Sequence, residues 1–298
     1  MEAIHGEVWR AVEVDVRDGR YSAKYYNDGS TRRVAVKIIF WEGLQSRRSR
    51  FAEDPWKEIS ALTILSDPGH PNVLRREAAL HDDKAAYLVT RYVDGGEIFK
   101  WIAEERGAYH QGRIDTVRNV FRQLVQGMQY THSKGICHAD MSLENALVDM
   151  RRENAYIIDY GMSLLMPVVT RDGHNRRRMS IHDSRTSKPA YRSPETSYGL
   201  AYDGVKVDVF SAGAMLFIML TGCRTFAEPR WFDPRYKLMV LEGKIEQAIN
   251  QNLQMLELDA NQAADLEEAV DLLRRMMARK PADRPLPENV LQHQWLAR

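Results

Sequence analysis

The chain has 298 residues, 44% of them hydrophobic, so it can bury the core of one large domain or of two lobes around a cleft. Its 42 lysines and arginines nearly cancel its 41 aspartates and glutamates, and a net charge of +1 argues against nucleic acid or a membrane surface as a partner. The two cysteines, Cys137 and Cys223, exclude a disulfide framework and a four-cysteine zinc site. They indicate a reducing compartment, so we predict a cytoplasmic or nuclear protein.

No segment of the sequence has the pattern of a membrane-spanning helix. The beginning, MEAIHGEVWRAVEV, lacks the pattern of a secretion signal, and no stretch approaches the roughly 20 apolar residues that cross a bilayer. The most hydrophobic segment, VFSAGAMLFIMLTG, is about 14 residues long and predicts a buried helix. We therefore expect no membrane insertion.

Strand periodicity dominates the first 93 residues. Alternation predicts strands at 12–16 (VEVDV) and 33–40 (RVAVKIIF), and strand character returns at 85–93 (AAYLVTRYV). Between the first two, YYNDGST at 25–31 has the Asn-Asp-Gly chemistry of a hairpin connection. These patterns predict a small strand-rich lobe.

Helical periodicity first appears at Pro55–Ser66, before DPGHPN ends it, and it dominates after residue 94. Apolar residues at i, i+3, i+4 and i+7 predict a strong amphipathic helix over 117–128. Further helices are predicted at 207–221, 235–251 and 264–278. Together these patterns predict an α+β chain with an N-terminal lobe at 1–93 and a larger, mainly helical lobe at 94–298. Clefts between such lobes are common ligand sites.

Two charged residues in the first lobe are candidates for a ligand site. The motif VAVK places Lys37 on the same strand face as Ala35, where a flat ligand can lie against the small side chain. Glu58 on the first helix can hold that ammonium by a charge-assisted bond. Taken singly, Lys37 and Glu58 also fit solvated surface side chains.

Two motifs in the second lobe carry oxygen ligands. HADMSLEN places Asp140 and Asn145 in a loop, and YIIDYG ends an apolar strand with Asp159, 159 − 140 = 19 residues further on. Carboxylate and amide oxygens suit a hard cation such as Mg²⁺, which shares its other positions with water and phosphate oxygens. The spacing therefore predicts a site for a divalent cation at these residues.

In this order, the motifs resemble those of the eukaryotic protein kinase family, of the serine/threonine type, over essentially the whole chain. The resemblance implies one bilobal protein-kinase-like domain, 1–298, with a small antiparallel sheet and one helix in the N-lobe and an activation segment at 159–195. It implies ATP and Mg²⁺ as cofactors and transfer of the γ-phosphoryl group to serine or threonine hydroxyls of a protein substrate.

The resemblance also assigns roles to residues. Lys37 holds the α- and β-phosphates with Glu58 as its partner, and Asp140 is the catalytic base. Asn145 and Asp159 are the magnesium ligands. The cofactor-binding set is Gly6, Val8, Ala35, Lys37, Thr90, Arg91, Tyr92, Val93, Glu97, Asn145 and Asp159. Within it, Thr90 is the residue behind the adenine, and 91–93 form the hinge that bonds the base.

Structural roles follow in the same way. Glu195 in YRSPE resembles the end of the activation segment and pairs with Arg284, while Asp208 anchors the backbone of the catalytic loop. His138 is interpreted as a packing residue that stacks with Tyr160.

The first departure from the family pattern is the glycine-rich phosphate loop. Gly6 and Val8 fit its end, but the earlier glycines would fall at Met1 and Ala3. Since glycine permits close approach of backbone amides to phosphate, we expect weakened nucleotide binding.

A second departure is Ala139, which replaces an arginine that in many kinases clamps a phosphate on the activation segment. We expect that switch not to operate in the usual way. Ser180 follows Arg177 and Arg178, and both a solvated basic loop and a phosphorylation site remain open.

Third, Ser142 stands where serine/threonine kinases have a lysine, and Lys188 stands where many have a threonine. We hypothesise that Lys188 returns the positive charge from the opposite wall of the cleft.

Glu97 and Glu144 match acidic positions that engage substrate arginines in basophilic kinases, whereas a third such position is Ile218. This favours basic residues before the phosphoacceptor.

Two alternatives to a protein kinase stay open. One is a pseudokinase that binds nucleotide or acts as a scaffold, and the other is a small-molecule kinase of related fold. Nothing in the sequence indicates the oligomeric state.

Overall fold

The computed structural model describes residues 2–3, 6–17, 20–24, 31–42, 54–105, 111–166, 178–179, 187–253 and 260–298. The hairpin predicted at 25–31 lies outside these residues apart from Thr31. Met1, Arg177 and Ser180 also lie outside them.

The described strands have two or three residues each after β7, whereas all those before it except β1 are longer. They are β1 Glu2–Ala3, β2 Gly6–Val12, β3 Val14–Arg17, β4 Arg20–Ala23, β5 Arg33–Phe40, β6 Arg76–His81, β7 Ala85–Arg91, β8 Ile136–Cys137, β9 Ala146–Val148, β10 Ala155–Ile157, β11 Leu164–Leu165, β12 Arg178–Met179 and β13 Tyr202–Asp203.

Helices predominate among the described elements after β7. The described α-helices are α1 Pro55–Leu65, α2 Ile98–Glu104, α3 Gln111–Ser133, α4 Pro194–Ser197, α5 Gly204–Thr221, α6 Pro234–Tyr236, α7 Ile245–Leu253, α8 Ala260–Met276, α9 Pro287–Leu291 and α10 Gln294–Ala297. Single 3₁₀ turns lie at Leu143–Asn145, Pro189–Tyr191 and Pro281–Asp283, and a π turn lies at Lys237–Leu241.

An antiparallel five-stranded sheet in the order β1-β2-β5-β7-β6 forms the N-terminal part. In its register Lys37 lies between Val8 and Leu88, and Ala35 lies opposite Thr90. Because side chains alternate between the two faces of a strand, Ala35 and Lys37 share one face, as predicted.

The strand predicted at 12–16 is wrong as a single element. It is interrupted at Glu13, whose amide donates to the carbonyl of Arg32 (3.1 Å) and whose carbonyl accepts from Lys24 (2.9 Å). After this residue the chain leaves the large sheet, and β3 pairs with β4 in a separate two-stranded sheet.

Helix α1 begins where the sequence predicts it. Pro55 occupies its first turn, and the carboxylate of Asp54 accepts from the amide of Trp56 (3.0 Å), which satisfies one of the amides left unpaired at a helix start. Ala61, Leu62 and Leu65 are buried beneath the helix. Packing of this face fixes the position of Glu58 on the same helix.

The core of the C-terminal part is built around α3 and α5. Helix α5 is buried along almost its whole length and ends at Gly222, whose φ of 67° is the left-handed conformation that glycine adopts without strain. Within the described part of the chain, α5 is the one helix long and apolar enough to cross a membrane by composition, and 94% of that stretch is buried in the fold. It is the buried helix expected from its sequence.

The helix predicted at 235–251 is wrong as one element. The chain forms α6, then the π turn, then α7, because Gly243 between the last two takes a φ of 68° that a continuing helix does not allow.

The two parts of the chain are joined closely after β7. Glu97 pairs with Leu147 in an isolated bridge, and the amide of Val148 donates to the carbonyl of Gly96 (3.0 Å). A side chain at Gly95 would bring Cβ within 2.4 Å of the carbonyl of Val148, so this close approach requires glycine. The α+β class is confirmed, while the boundary at 93/94, the single domain over 1–298 and the activation segment at 159–195 stay predictions.

Candidate active site

A cleft with a volume of about 480 Å³ lies between the sheet and the helical part. Every residue proposed from the sequence for catalysis or cofactor binding lines it, except Gly6, which lies at the start of β2 and pairs with Ala3 and Ile39. Its apolar wall includes Leu74, Leu88, Leu147 and Ile158, which sequence reasoning missed. Alternation in β7 would have found Leu88, because it lies two residues from Thr90 on the same strand face.

Three charged side chains lie in a row across the cleft, from α1 to the end of an apolar strand. Lys37 Nζ lies 2.6 Å from a carboxylate oxygen of Glu58 and 3.6 Å from Oδ1 of Asp159. The Lys37 and Glu58 side chains are 14% and 5% exposed, so their charges act in a poorly screened setting. This holds the ammonium at a defined point of the cleft.

The backbone and the charge state of Asp159 are both unusual. Its φ is 61°, a left-handed conformation that non-glycine residues adopt mainly where the surroundings impose it. Burial by itself would raise the pKa of Asp159, but Lys37, the amide of Gly161 and other nearby groups outweigh it and lower the pKa below its ordinary value. The carboxylate is therefore ionised and able to bind a cation.

The carboxylate of Asp208, near the start of α5, binds backbone amides of the loop that contains Asp140. Its Oδ2 accepts from the amide of His138 (2.8 Å) and its Oδ1 from the amide of Ala139 (2.9 Å), which has a φ of 62°. His132 Nε2 also lies 2.8 Å from Oδ2. Burial opposes ionisation of Asp208, yet the hydrogen bonds from His132 and from the amide of His138 help to lower its pKa.

The ring of His138 is fully engaged in the structure. Its Nδ1 accepts from the amide of Asp140 (3.2 Å), so Nε2 carries the proton and donates to the carbonyl of Ile158 (2.9 Å). The ring packs 4.7 Å from that of Tyr160, whose hydroxyl lies 3.1 Å from the hydroxyl of Thr131. These contacts agree with a packing role for His138.

The carboxylate of Asp140 has two unlike oxygens. Oδ2 accepts from Asn145 Nδ2 (2.7 Å) and from Lys188 Nζ (3.2 Å). Oδ1 is buried and has no hydrogen-bond partner among the described residues. Since buried polar atoms are nearly always paired, an unpaired carboxylate oxygen in a cleft is ready to accept a proton from a bound group.

The amide of Asn145 is oriented by the same carboxylate. Its Nδ2 donates both to Oδ2 (2.7 Å) and to the backbone carbonyl (2.9 Å) of Asp140, which leaves Oδ1 of the amide for a cation. No cluster of three or more His, Cys, Asp or Glu side chains suited to a metal occurs in the described part of the chain. Asn145 and Asp159 fit Mg²⁺ only as a two-oxygen set completed by water and phosphate.

A buried ion pair fixes the end of the segment that faces this loop. Arg284 donates to both oxygens of Glu195 (2.7 and 2.8 Å), and its guanidinium lies 4.8 Å from the ring of Phe210. This bidentate geometry ties the start of α4 to the C-terminal helices.

A comparison of the sequence with models of known families identifies the family of the chain. A family model described as "Protein kinase domain" matches residues 18–296. The chain belongs to the protein kinase family.

Among curated proteins, the chain is 33% identical over 262 residues to CBL-interacting protein kinase 1 of Oryza sativa subsp. japonica, covering 88% of this chain and 50% of that protein. It is 30% identical over 275 residues to CBL-interacting serine/threonine-protein kinase 15 of Arabidopsis thaliana, covering 92% of this chain and 57% of that protein. The chain thus spans about half the length of these curated relatives.

Within this protein kinase fold, the environment of Ala139 explains how the chain accommodates the loss of arginine. Ala139 is 1% exposed and packs in a small apolar cluster with Cys137, Met166 and Val205. Apolar contacts therefore surround the position that the family pattern gives to a phosphate-binding arginine.

Three contacts of this kinase site were not predicted. Lys100 Nζ lies 2.9 Å from the carboxylate of Glu97, and the hydroxyl of Tyr191 donates to Glu144 (2.9 Å). Burial and the charge of Glu144 raise the pKa of Tyr191, so the phenol stays protonated. The third is the contact of His132 with Asp208, for which the sequence offers no signal beyond a histidine near the end of α3.

Proposed function

We propose that this chain is an ATP- and magnesium-dependent kinase that transfers the γ-phosphoryl group to serine or threonine hydroxyls of protein substrates. The observation that carries the proposal is the line of charges Glu58–Lys37–Asp159 in the same cleft as the unpaired oxygen of Asp140. A phosphate-binding ammonium and a base then face one ligand space.

In this proposal the residues of the cleft have separate roles in binding and catalysis. Lys37, held by Glu58, binds phosphate oxygens of the nucleotide and so sets its position. Oδ1 of Asp140 accepts the proton of the attacking hydroxyl. Asn145 and Asp159 hold Mg²⁺, which neutralises phosphate charge when it is bound.

The adenine is placed against the apolar walls and the segment after β7. Ala35 and Thr90 lie opposite each other in the sheet, and Val8 enters from β2. The amide of Tyr92 donates to the carbonyl of Arg33 (3.3 Å), which anchors the middle of the proposed hinge to the sheet. Arg91 to Val93 then present the remaining backbone groups to the base.

For the protein substrate, we propose a preference for basic residues before the phosphoacceptor. Glu97 and Glu144 line the cleft, and each already has a polar partner in Lys100 or Tyr191. A substrate arginine would replace the ammonium of Lys100 at Glu97, with little change in local charge. A cytoplasmic or nuclear location remains part of the proposal.

No observation on the described residues favours a pseudokinase or a small-molecule kinase. The test is magnesium-dependent transfer of labelled phosphate from ATP to a peptide library, comparing the unaltered chain with Asp159→Asn and Asp140→Ala. We expect transfer by the unaltered chain and a loss of at least about 10²-fold in both variants. Nucleotide binding without transfer by the unaltered chain would contradict the proposal.

A further inference from the structure

The ammonium of Lys188 lies beside the carboxylate of Asp140, the proposed catalytic base, although the two residues belong to different segments of the chain. Lys188 Nζ is 3.2 Å from Oδ2 of Asp140 and 2.9 Å from Oγ of Ser142. The side chain is 39% exposed and lines the cleft, whereas Ser142 is 1% exposed. The serine hydroxyl thus serves as a buried acceptor that directs a partly solvated cation toward the cleft.

Among the residues that the structure describes, the partners of the ammonium leave one of its N–H donors unused. A lysine ammonium has three N–H donors, and the contacts with Asp140 and Ser142 account for two of them. The third is available to an anionic oxygen in the cleft. Among the described cleft residues, Lys37 is held by Glu58 and Lys100 by Glu97, so Lys188 is the lysine that contacts the base.

We propose that Lys188 is a catalytic residue that donates to an oxygen of the γ-phosphoryl group during transfer, and that Ser142 positions it. This inference rests on the proposed function and names a further residue of the same site. A preorganised cation at a point where negative charge develops stabilises the transition state without reorganisation.

The chemical step remains a simple displacement. The substrate hydroxyl oxygen forms a bond to the γ-phosphorus, the bond from that phosphorus to the β–γ bridging oxygen breaks, and the hydroxyl proton passes to Oδ1 of Asp140. ADP leaves with the electron pair of the broken bond. Lys188 keeps its protons throughout and acts by charge and hydrogen bonding.

The backbone around Lys188 is held from both sides. The carbonyl of Lys188 accepts from the amide of Tyr191 (2.9 Å), which closes the turn Pro189–Tyr191. Ser187 has a φ of 54°, and its carbonyl accepts two bonds from the guanidinium of Arg192 (3.1 and 2.7 Å). Such a strained, doubly anchored residue fixes the direction in which the next side chain leaves the backbone.

This geometry ties catalysis to the position of the segment that carries Lys188. The same segment is anchored by the hydroxyl of Ser211, which donates to the carbonyl of Tyr191 (2.9 Å), and by the Glu195–Arg284 pair. Correct docking of the segment therefore brings a catalytic cation into the cleft.

Exchanging the lysine between positions 188 and 142 tests the role of Lys188. Phosphate transfer to a peptide is measured for the unaltered chain, Lys188→Thr, Lys188→Arg and the double variant Ser142→Lys/Lys188→Thr. We expect Lys188→Thr to lower kcat by about 10²-fold with the KM for ATP within about 3-fold, because the contact acts on the transition state. Lys188→Arg should retain part of the activity, and the double variant should recover about 10-fold or more over Lys188→Thr.

The controls separate this inference from the function on which it rests. Lys244→Ala removes a remote exposed lysine paired with Glu242 and should leave kcat unchanged. Loss of transfer in Asp140→Ala together with a kcat for Lys188→Thr within about 3-fold of the unaltered chain would overturn the role of Lys188 alone. A double variant no more active than Lys188→Thr, with an unchanged melting temperature, would overturn it as well. Absence of transfer by the unaltered chain overturns the proposed function and the role of Lys188 with it.

Discussion

Removing the charge of Glu195 should strongly destabilise the fold. Arg284 is 0% exposed at its side chain and Glu195 is 6% exposed, and both oxygens of the carboxylate accept from the guanidinium. Glu195→Gln keeps the size of the side chain, so no cavity forms, but it leaves the buried guanidinium without its counter-charge. Breaking a buried pair in this way costs about 3–5 kcal/mol.

The expected shift in melting temperature follows from the size of the chain. An unfolding entropy of about 2.1 cal/mol/K per residue over 298 residues gives about 0.6 kcal/mol/K, so the loss corresponds to about 5–8 °C. Calorimetry measures the shift in melting temperature, and urea unfolding measures the loss of free energy of unfolding. Arg275→Ala, which breaks a pair with Asp271 in which Arg275 is 62% exposed, is the matched surface control and should change stability by less than about 0.5 kcal/mol. Equal effects of the buried and the exposed substitutions would refute the reasoning.

Three further predictions concern the site, the loop that contains Asp140 and the start of α6. Lys37→Met should reduce phosphate transfer by about 10²-fold or more, measured as kcat/KM for ATP, because the ammonium beside Glu58 is lost. Asp208→Asn should lower the free energy of unfolding by about 1–3 kcal/mol in urea, because one oxygen that accepts a loop amide is replaced by an amide nitrogen. Asp233 accepts four backbone amides, which outweigh burial and lower its pKa. Its stabilising effect is therefore complete above the unfolded pKa of about 3.9 and is lost as the pH falls through the lower folded pKa, so acidification should destabilise the unaltered chain more than Asp233→Asn in urea unfolding from about pH 6 to 3.

Sequence patterns predicted those strands and helices whose bounds depend on residues within the same segment. The strand expected at 33–40 is confirmed as Arg33–Phe40, because its alternation matches two neighbouring strands. The helix expected at Pro55–Ser66 is confirmed as Pro55–Leu65, since its proline and its capping aspartate act within the first turn. The break at Gly243 depends on a left-handed backbone that a helical pattern does not reveal.

The resemblance of the motifs to those of protein kinases also implied which site residues come together, and all of them except Gly6 line one cleft. It also predicted the Lys37–Glu58 and Glu195–Arg284 pairs, which the structure contains, but it did not predict the partners of Glu144 and His132. Tyr191 reaches Glu144 across 47 positions of sequence, and His132 reaches Asp208 across 76. Such contacts depend on the tertiary arrangement of the segment and of α5, for which the sequence carries no spacing rule.

Phosphate transfer itself is the most direct test of the central claim. The chain is incubated with magnesium and ATP labelled at the γ-phosphate, together with matched peptides that differ only in having serine, threonine, tyrosine or alanine as the acceptor, and Asp140→Asn is run in parallel. We predict label on the serine and threonine peptides that depends on magnesium and on Asp140. Binding of ATP with no label on any peptide, or equal label with Asp140→Asn, would contradict the account.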